Sequence, residues 1–212
     1  INEDAAAPPL LEALAPIPAH LENLQFDGIR HIASSSFEIA CNVKILLDAF
    51  LETYHLKSIH PQTVDRFLDS RGTHAVLWRN GNSMMCTPHR RPDWRDPGAV
   101  GMPEVPTVES IFAQQNPSYL FYPNLVTPPS ATGTPVITFW PKTARSMTVD
   151  VHWFAPDGAE GHELWPTRMS NFERILEEDT QFAPRIQESV ETGGFRGIYL
   201  SYQERRIYHW HE

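Results

Sequence analysis

The chain has 212 residues, 41% hydrophobic and 20% charged, enough to bury one sizeable core. Its formal charge of −9 lacks the lysine and arginine excess that a broad nucleic-acid surface needs. No apolar run approaches the ~18 residues of a membrane span, no basic stretch followed by an apolar one marks a secretory signal, and two cysteines are too few for a disulfide framework, which fits a reducing cytoplasm.

Residues 1–18, rich in Ala and Pro, read as a linker or extended lead-in rather than a core element. His31 to Val43 carries Ile32, Phe37 and Ile39 among serines without a helical stripe, which predicts a strand. A helix is expected from about Lys44 to His55. Ala75 to Trp78 and Ser83 to Cys86 flank Asn80-Gly81-Asn82, a short-range hairpin signal. Pro88 to Pro106, with its prolines and charges, predicts a loop covering or approaching the site. Ser118 to Val126, Pro135 to Trp140 and Ser146 to Phe154 read as successive strands. Met169 to Val190 has apolar residues at helical spacing and predicts one long helix, kinked at Pro184. After a turn at Gly193-Gly194, a short strand over Arg196 to Leu200 and a helical segment over Tyr202 to His211 complete the pattern. Adjacent strands with long helices near each end argue α+β with an antiparallel sheet.

The chemistry concentrates in Asp48 to Pro61. At about 100° per residue, Lys44, Asp48, Glu52 and His55 fall within roughly 80° of one another, a narrow polar stripe on an otherwise apolar helix. His60 lies about 140° further round, so the two imidazoles converge on one ion only if the helix loosens or ends between them. Pro61 is consistent with such an ending, since it disfavours helical dihedrals in the residue before it. Two histidines in a chain with ten are, on spacing alone, surface or hydrogen-bonded residues more often than ligands, and a polar stripe is often just a solvated face. Glu52 or Asp48, however, is placed to accept a ring N–H from His55, as carboxylates behind metal-bound histidines do.

Two neutral imidazoles, one carboxylate and open positions are the donor set of non-haem Fe(II) oxygen chemistry. The carboxylate belongs to the acidic run Glu177-Glu178-Asp179, among which the pattern alone does not choose.

Asn42-Val43-Lys44, then Phe50-Leu51-Glu52-Thr53-Tyr54-His55 and His60-Pro61, resembles the catalytic domain of Rieske non-haem iron oxygenase (ring-hydroxylating oxygenase) alpha subunits. Their pattern runs Asn-Trp-Lys, carboxylate-x-Tyr-His, four residues and His. Glu178-Asp179 with Gln187 eight positions after the aspartate, Tyr199-Leu200-Ser201, Gln203-Glu204 and Tyr208-His209-Trp210-His211 resemble the end of the same domain, so the likeness spans residues 8–212. It departs at Val43, where the family usually has Trp, and at Glu52, where most members have Asp.

The resemblance implies a helix-grip fold of the START-like, Bet v 1-like kind. It implies His55, His60 and Asp179 as iron ligands, and Glu52 as the link to a cluster-binding histidine of the neighbouring subunit. Asp48 matches a position lining the substrate site. Residues 1–18 would then follow a Rieske domain lying N-terminal to this chain, and residues 19–212 would form the mononuclear iron domain. Rieske ligands are a Cys-x-His and a later Cys-x-x-His. Cys86-Thr87-Pro88-His89 fits the second formally, but Cys41 is followed by Asn42-Val43, so the [2Fe-2S] cluster is expected elsewhere and Cys86 as a core thiol.

The implied reaction uses Fe(II) and O2 to hydroxylate an aromatic or other small organic substrate, by mono- or dioxygenation, as in aromatic hydrocarbon catabolism. Electrons come from the Rieske cluster and an NAD(P)H-linked reductase or ferredoxin. The expected assembly is a homotrimer, with or without a beta subunit, in the cytoplasm, and the isolated domain should bind iron without turnover. One alternative is a metal-free module of the same fold enclosing a hydrophobic ligand. A 2-oxoglutarate-dependent oxygenase would place His-x-Asp first and a distant His later, and the order here speaks against it.

Overall fold

The computed structural model describes residues 4–108 and 110–212. Seven strands form one antiparallel sheet: β1 (Ile29–Ile39), β2 (His74–Leu77), β3 (Ser83–Pro88), β4 (Gln115–Phe121), β5 (Leu125–Thr127), β6 (Thr134–Thr143) and β7 (Ser146–Pro156). Their order is β1-β7-β6-β5-β4-β3-β2, with β1 and β2 at the edges. The α+β architecture is therefore as expected.

Alternation along the strands gives the sheet two distinct faces. Val149, Val151, Trp153 and Ala155 of β7 are buried on one, while Asp150, His152 and Phe154 point to the other. The first, inner face continues through Ile137 and Phe139 of β6, Val126 of β5 and Leu120 of β4, and packs Leu46, Leu47, Leu51, Leu176 and Ile207 from the helices. On the outer face, Met84, Cys86 and Tyr119 form a smaller cluster with Ile17, Leu21, Leu24 and Phe112.

The helices are α1 (Leu10–Ala13), α2 (Ile17–Leu21), α3 (Val43–Phe50), α4 (Leu56–Ile59), α5 (Ser110–Gln114), α6 (Trp165–Thr180), α7 (Ala183–Glu191) and α8 (Arg205–His211). Within the stretch expected to be a linker, residues 1–3 lie outside the described residues, and the rest holds α1 and the start of α2. Ile17 is fully buried, so the end of that stretch belongs to the outer-face core. No helix among the described residues is long and apolar enough to cross a membrane.

Several elements differ from expectation for local reasons. The motif helix stops at Phe50: Leu51 leaves helical geometry at φ −102°, ψ 0°, and the Glu52 carboxylate accepts the Tyr54 amide, which competes with helical pairing. The long C-terminal helix is two helices separated at Gln181-Phe182, with Pro184 in the first turn of α7, where its missing N–H costs nothing. The strand expected over Ser118 to Val126 is broken at Tyr122-Pro123-Asn124 into β4 and β5. Arg196 to Leu200 forms no strand; Gly197 sits at φ +148°, and Ile198 and Tyr199 are exposed.

The hairpin of β2 and β3 turns at Asn80 (φ 59°) and Gly81 (φ 73°), both left-handed, as Asn-Gly favours. A Cβ on Gly81 would also meet the Tyr122 ring at 2.4 Å. The loop over Pro88 to Pro106 contains one 3-10 turn, Pro97–Ala99. Its start packs on the chain just after the histidine motif: Arg90 Nη2 lies 2.7 Å from Asp65 Oδ1, and Phe67 stacks on Trp94 with ring centroids 4.3 Å apart.

Candidate metal centre

Three pieces of chain meet at the site: the break after α3, the two ends of α4, and the last turn of α6. Asn42 starts α3 by accepting the Lys44 amide at 3.0 Å, and its own N–H donates to Gln187 Oε1 of α7 at 2.7 Å. That bond fixes the motif against the C-terminal helices. His55 precedes α4 and His60 ends it at φ −112°, ψ 38°, so the histidines flank one helical turn rather than share a longer helix. Their rings lie 5.1 Å apart at 71°. The polar stripe pictured along one helix from Lys44 to His55 therefore does not exist as such; Glu52 and His55 reach each other across the break.

Asp179 of α6 completes the cluster. Its Oδ1 lies 2.9 Å from His60 Nε2 and 3.6 Å from His55 Nε2. One ligand atom from each of His55, His60 and Asp179 lies within 4.8 Å of the others. Of the acidic run left open by the sequence, Asp179 faces the histidine pair.

Each imidazole has a carboxylate behind it. His55 Nδ1 bonds Glu52 Oε1, and the other Glu52 oxygen accepts the Tyr54 N–H. His60 Nδ1 lies 2.7 Å from Glu178 Oε2, which also accepts the Thr63 hydroxyl at 2.6 Å. Placing a proton on each Nδ1 leaves both Nε2 lone pairs for a cation beside Asp179, the tautomers a histidine–histidine–carboxylate centre requires. Residues and donor set thus fit a divalent metal such as Fe(II).

The electrostatics agree. Burial works to lower the His60 pKa, but Asp179 and Glu178 outweigh it and raise it. A fully buried imidazole between two carboxylates takes either a second proton or a metal ion at Nε2. Burial likewise works to raise the Glu178 carboxyl, yet the bonds from Thr63 and His60 hold it below its ordinary value.

Asp48 stands apart from the cluster. Its Oδ1 lies 2.9 Å from His211 Nε2 of α8, and burial pushes its carboxyl up against the pull of His211 and Lys44. From the sequence Glu178 was only one of three candidate carboxylates, and Thr63 carried no signal. The acidic run was visible, but its division between a ligand and the partner of a ligand depends on how α6 meets α4. Cys86 is fully buried in the outer-face cluster, where its thiol contacts Gln115 Oε1 at 3.0 Å and burial pushes it up to about 11.

A second feature lies on the other side of the sheet. An apolar cavity of about 380 Å³ is lined by Leu21, Phe26, Phe121, Leu125, Val136 and Phe154, with few polar groups. It is separated by the sheet from His55, His60 and Asp179.

The profile of the ring hydroxylating alpha subunit (catalytic domain) matches residues 26–212. The chain belongs to that family. Among solved structures, it is similar to the quaternary ammonium Rieske monooxygenase CntA in complex with an inhibitor: 17% identity, 100% of this chain, 56% of the other, TM-score 0.75. A structure of a quaternary ammonium Rieske monooxygenase described with carnitine oxidation by gut microbiota and inter-subunit electron transfer gives 15% identity over 100% and 57% of the two chains, TM-score 0.77. Naphthalene 1,2-dioxygenase from Rhodococcus sp. bound to indole gives 16% identity over 98% and 61%, TM-score 0.69. At these identities the likeness is one of fold, and the chain spans little more than half of each of these structures. No curated protein sequence matches.

Proposed function

We propose that the chain is the mononuclear iron domain of a Rieske-type oxygenase that hydroxylates a small organic substrate with O2. The observation that carries this is the convergence of His55, His60 and Asp179, with a separate carboxylate behind each imidazole. His55, His60 and Asp179 would hold Fe(II), which when bound would supply the activation of dioxygen.

The protein's own residues prepare that centre. Glu52 and Glu178 hold the Nδ1 protons and so fix which nitrogen faces the metal. Thr63 steadies Glu178, and burial of His60 keeps water from competing for its Nε2. Glu52 would further link His55 to a cluster-binding histidine of a neighbouring subunit in a homotrimer, bridging the path by which electrons from that subunit's [2Fe-2S] cluster, fed by a reductase or ferredoxin, would reach the metal. In support, inter-subunit electron transfer is described for one relative, and Glu52 occupies the matching motif position while touching His55.

Anaerobic Fe(II) loading tests the centre. One iron per chain is expected in the wild type and none in H55A, H60A or D179A; full retention by all three variants overturns the proposal. The second reading, a metal-free module for a hydrophobic ligand, has the outer-face cavity in its favour. It predicts no metal uptake and apolar ligand binding lost on filling that cavity with V136W.

A further inference from the structure

Phe121 of β4, Leu125 of β5, Thr134 and Val136 of β6 and Phe154 of β7 all lie on the outer face of the sheet and form one wall of the cavity of about 380 Å³. Leu21 and Phe26, from the chain before β1, complete it.

One polar group in this wall has no partner. Thr134 is 4% exposed, and its Oγ1 is buried without a hydrogen bond. The other hydroxyl at the cavity, that of Thr127, already donates to the Pro135 carbonyl at 2.7 Å. A buried hydroxyl left alone is costly until something in the cavity bonds to it. Water answers that need poorly, because an ordered buried water makes about three hydrogen bonds and the walls here are otherwise apolar side chains.

No Lys, Arg or His lines the cavity. Beside it lies a hollow of about 440 Å³, which shares Leu21, Phe26 and Phe121 and carries Glu22 and Asp27. A carboxylate entering here would find no cation and two acidic side chains nearby, so the charge pattern selects a neutral molecule.

We propose that the outer-face cavity binds a phenol, a neutral aromatic molecule of one or two rings bearing a hydroxyl. Its rings lie against Phe26, Phe121 and Phe154, and its hydroxyl bonds Thr134 Oγ1. Aromatic faces gain from ring contacts beyond the area they bury. A phenolic hydroxyl suits that of threonine, since each both donates and accepts. The volume sets the size, being near the lower end of the ~300–1,000 Å³ of small-molecule pockets. The sheet separates this site from His55, His60 and Asp179, so its occupation needs neither iron nor the oxygenase reading, and it exists alongside the metal centre rather than in place of it.

The test is equilibrium dialysis of the iron-free and the Fe(II)-loaded chain against 2-naphthol, naphthalene and 2-naphthoate near neutral pH, where the phenol is un-ionised. Both forms should bind one 2-naphthol per chain, about two- to tenfold more tightly than naphthalene and at least about tenfold more tightly than 2-naphthoate. T134V should lower 2-naphthol to the level of naphthalene and leave naphthalene unchanged, and V136W should abolish both. The inference is overturned if the wild type does not prefer 2-naphthol to naphthalene, if it binds 2-naphthoate as well as 2-naphthol, if T134V keeps the preference, or if V136W still binds 2-naphthol. Should V136W fail to fold, V136F takes its place; T134V keeps the shape of the side chain and removes an unpartnered buried hydroxyl, so it should melt no lower than the wild type. Iron content measured on the same samples separates the two proposals: 2-naphthol binding without iron uptake removes the oxygenase reading and leaves the phenol site, and iron uptake without 2-naphthol binding does the reverse.

Discussion

His60 is held between two consecutive residues of α6: its Nδ1 lies 2.7 Å from Glu178 and its Nε2 2.9 Å from Asp179. Consecutive side chains on a helix diverge by about 100°, so only a ring inserted edge-on beside the helix can meet both. His60 is itself buried, and the Thr63 hydroxyl donates to the Glu178 oxygen that meets its Nδ1, which keeps the ring in that position.

Substituting Glu178 by Gln separates orientation from ligation. The amide keeps the shape but weakens the hold on the His60 Nδ1 proton, and Fe(II) affinity should fall about 10- to 100-fold. D179N should lose the metal outright. Chelator competition under anaerobic conditions measures both, with circular dichroism to show that the fold persists; equal affinities for E178Q and wild type would remove Glu178 from the site.

Glu52 should behave differently. E52Q retains a group that accepts from His55 Nδ1–H and Tyr54 N–H, so iron stoichiometry should stay near one per chain. In protein that also carries the Rieske domain, however, product formation should drop by about 100-fold, and E52D should recover much of it. Unchanged turnover in E52Q would leave Glu52 a role in ring orientation alone.

The Asp48 carboxyl is raised by burial, with His211 and Lys44 opposing. Its folded pKa stands above the unfolded one, so its charge costs stability above the folded value and nothing below the unfolded value of about 3.9. D48N should therefore melt higher than the wild type at neutral pH, and the gain should disappear as the pH falls toward about 4. Thermal melts across that range check the sign. A variant less stable at neutral pH would mean that the His211 contact outweighs the burial of Asp48.

Gln187 is buried and accepts the Asn42 N–H that precedes α3. Q187A strands that donor and should cost about 1–3 kcal/mol in urea unfolding. Because Asn42 begins the helix leading to the histidines, the same variant should also weaken Fe(II) binding. Loss of stability with unchanged metal affinity would place the effect in α7 alone.

Strands β6 and β7 were legible because their residues alternate in part between a core face and a polar or half-buried one, and the β2–β3 hairpin because Asn80-Gly81 suits the left-handed turn it adopts. Helix continuity was not. Ile45 to Leu51 is apolar enough to suggest one helix through His55, but a side-chain acceptor at Glu52 captures the Tyr54 amide and ends it. The absence of a strand at 196–200 was also hidden, since pairing depends on a neighbour elsewhere in the chain. Within the site, motif spacing and family resemblance singled out His55, His60 and Asp179, whereas the role of Glu178 behind His60 depends on a contact more than a hundred residues away along the chain.

The placement of Glu178 beside Asp179 has a consequence for how the centre fails. A slide or rotation of α6 withdraws a ligand from Nε2 and the brace from Nδ1 of the same ring in a single movement. Partial loosening of that helix therefore leaves little room for a half-formed centre, and metal release should follow the docking of α6 as one cooperative event.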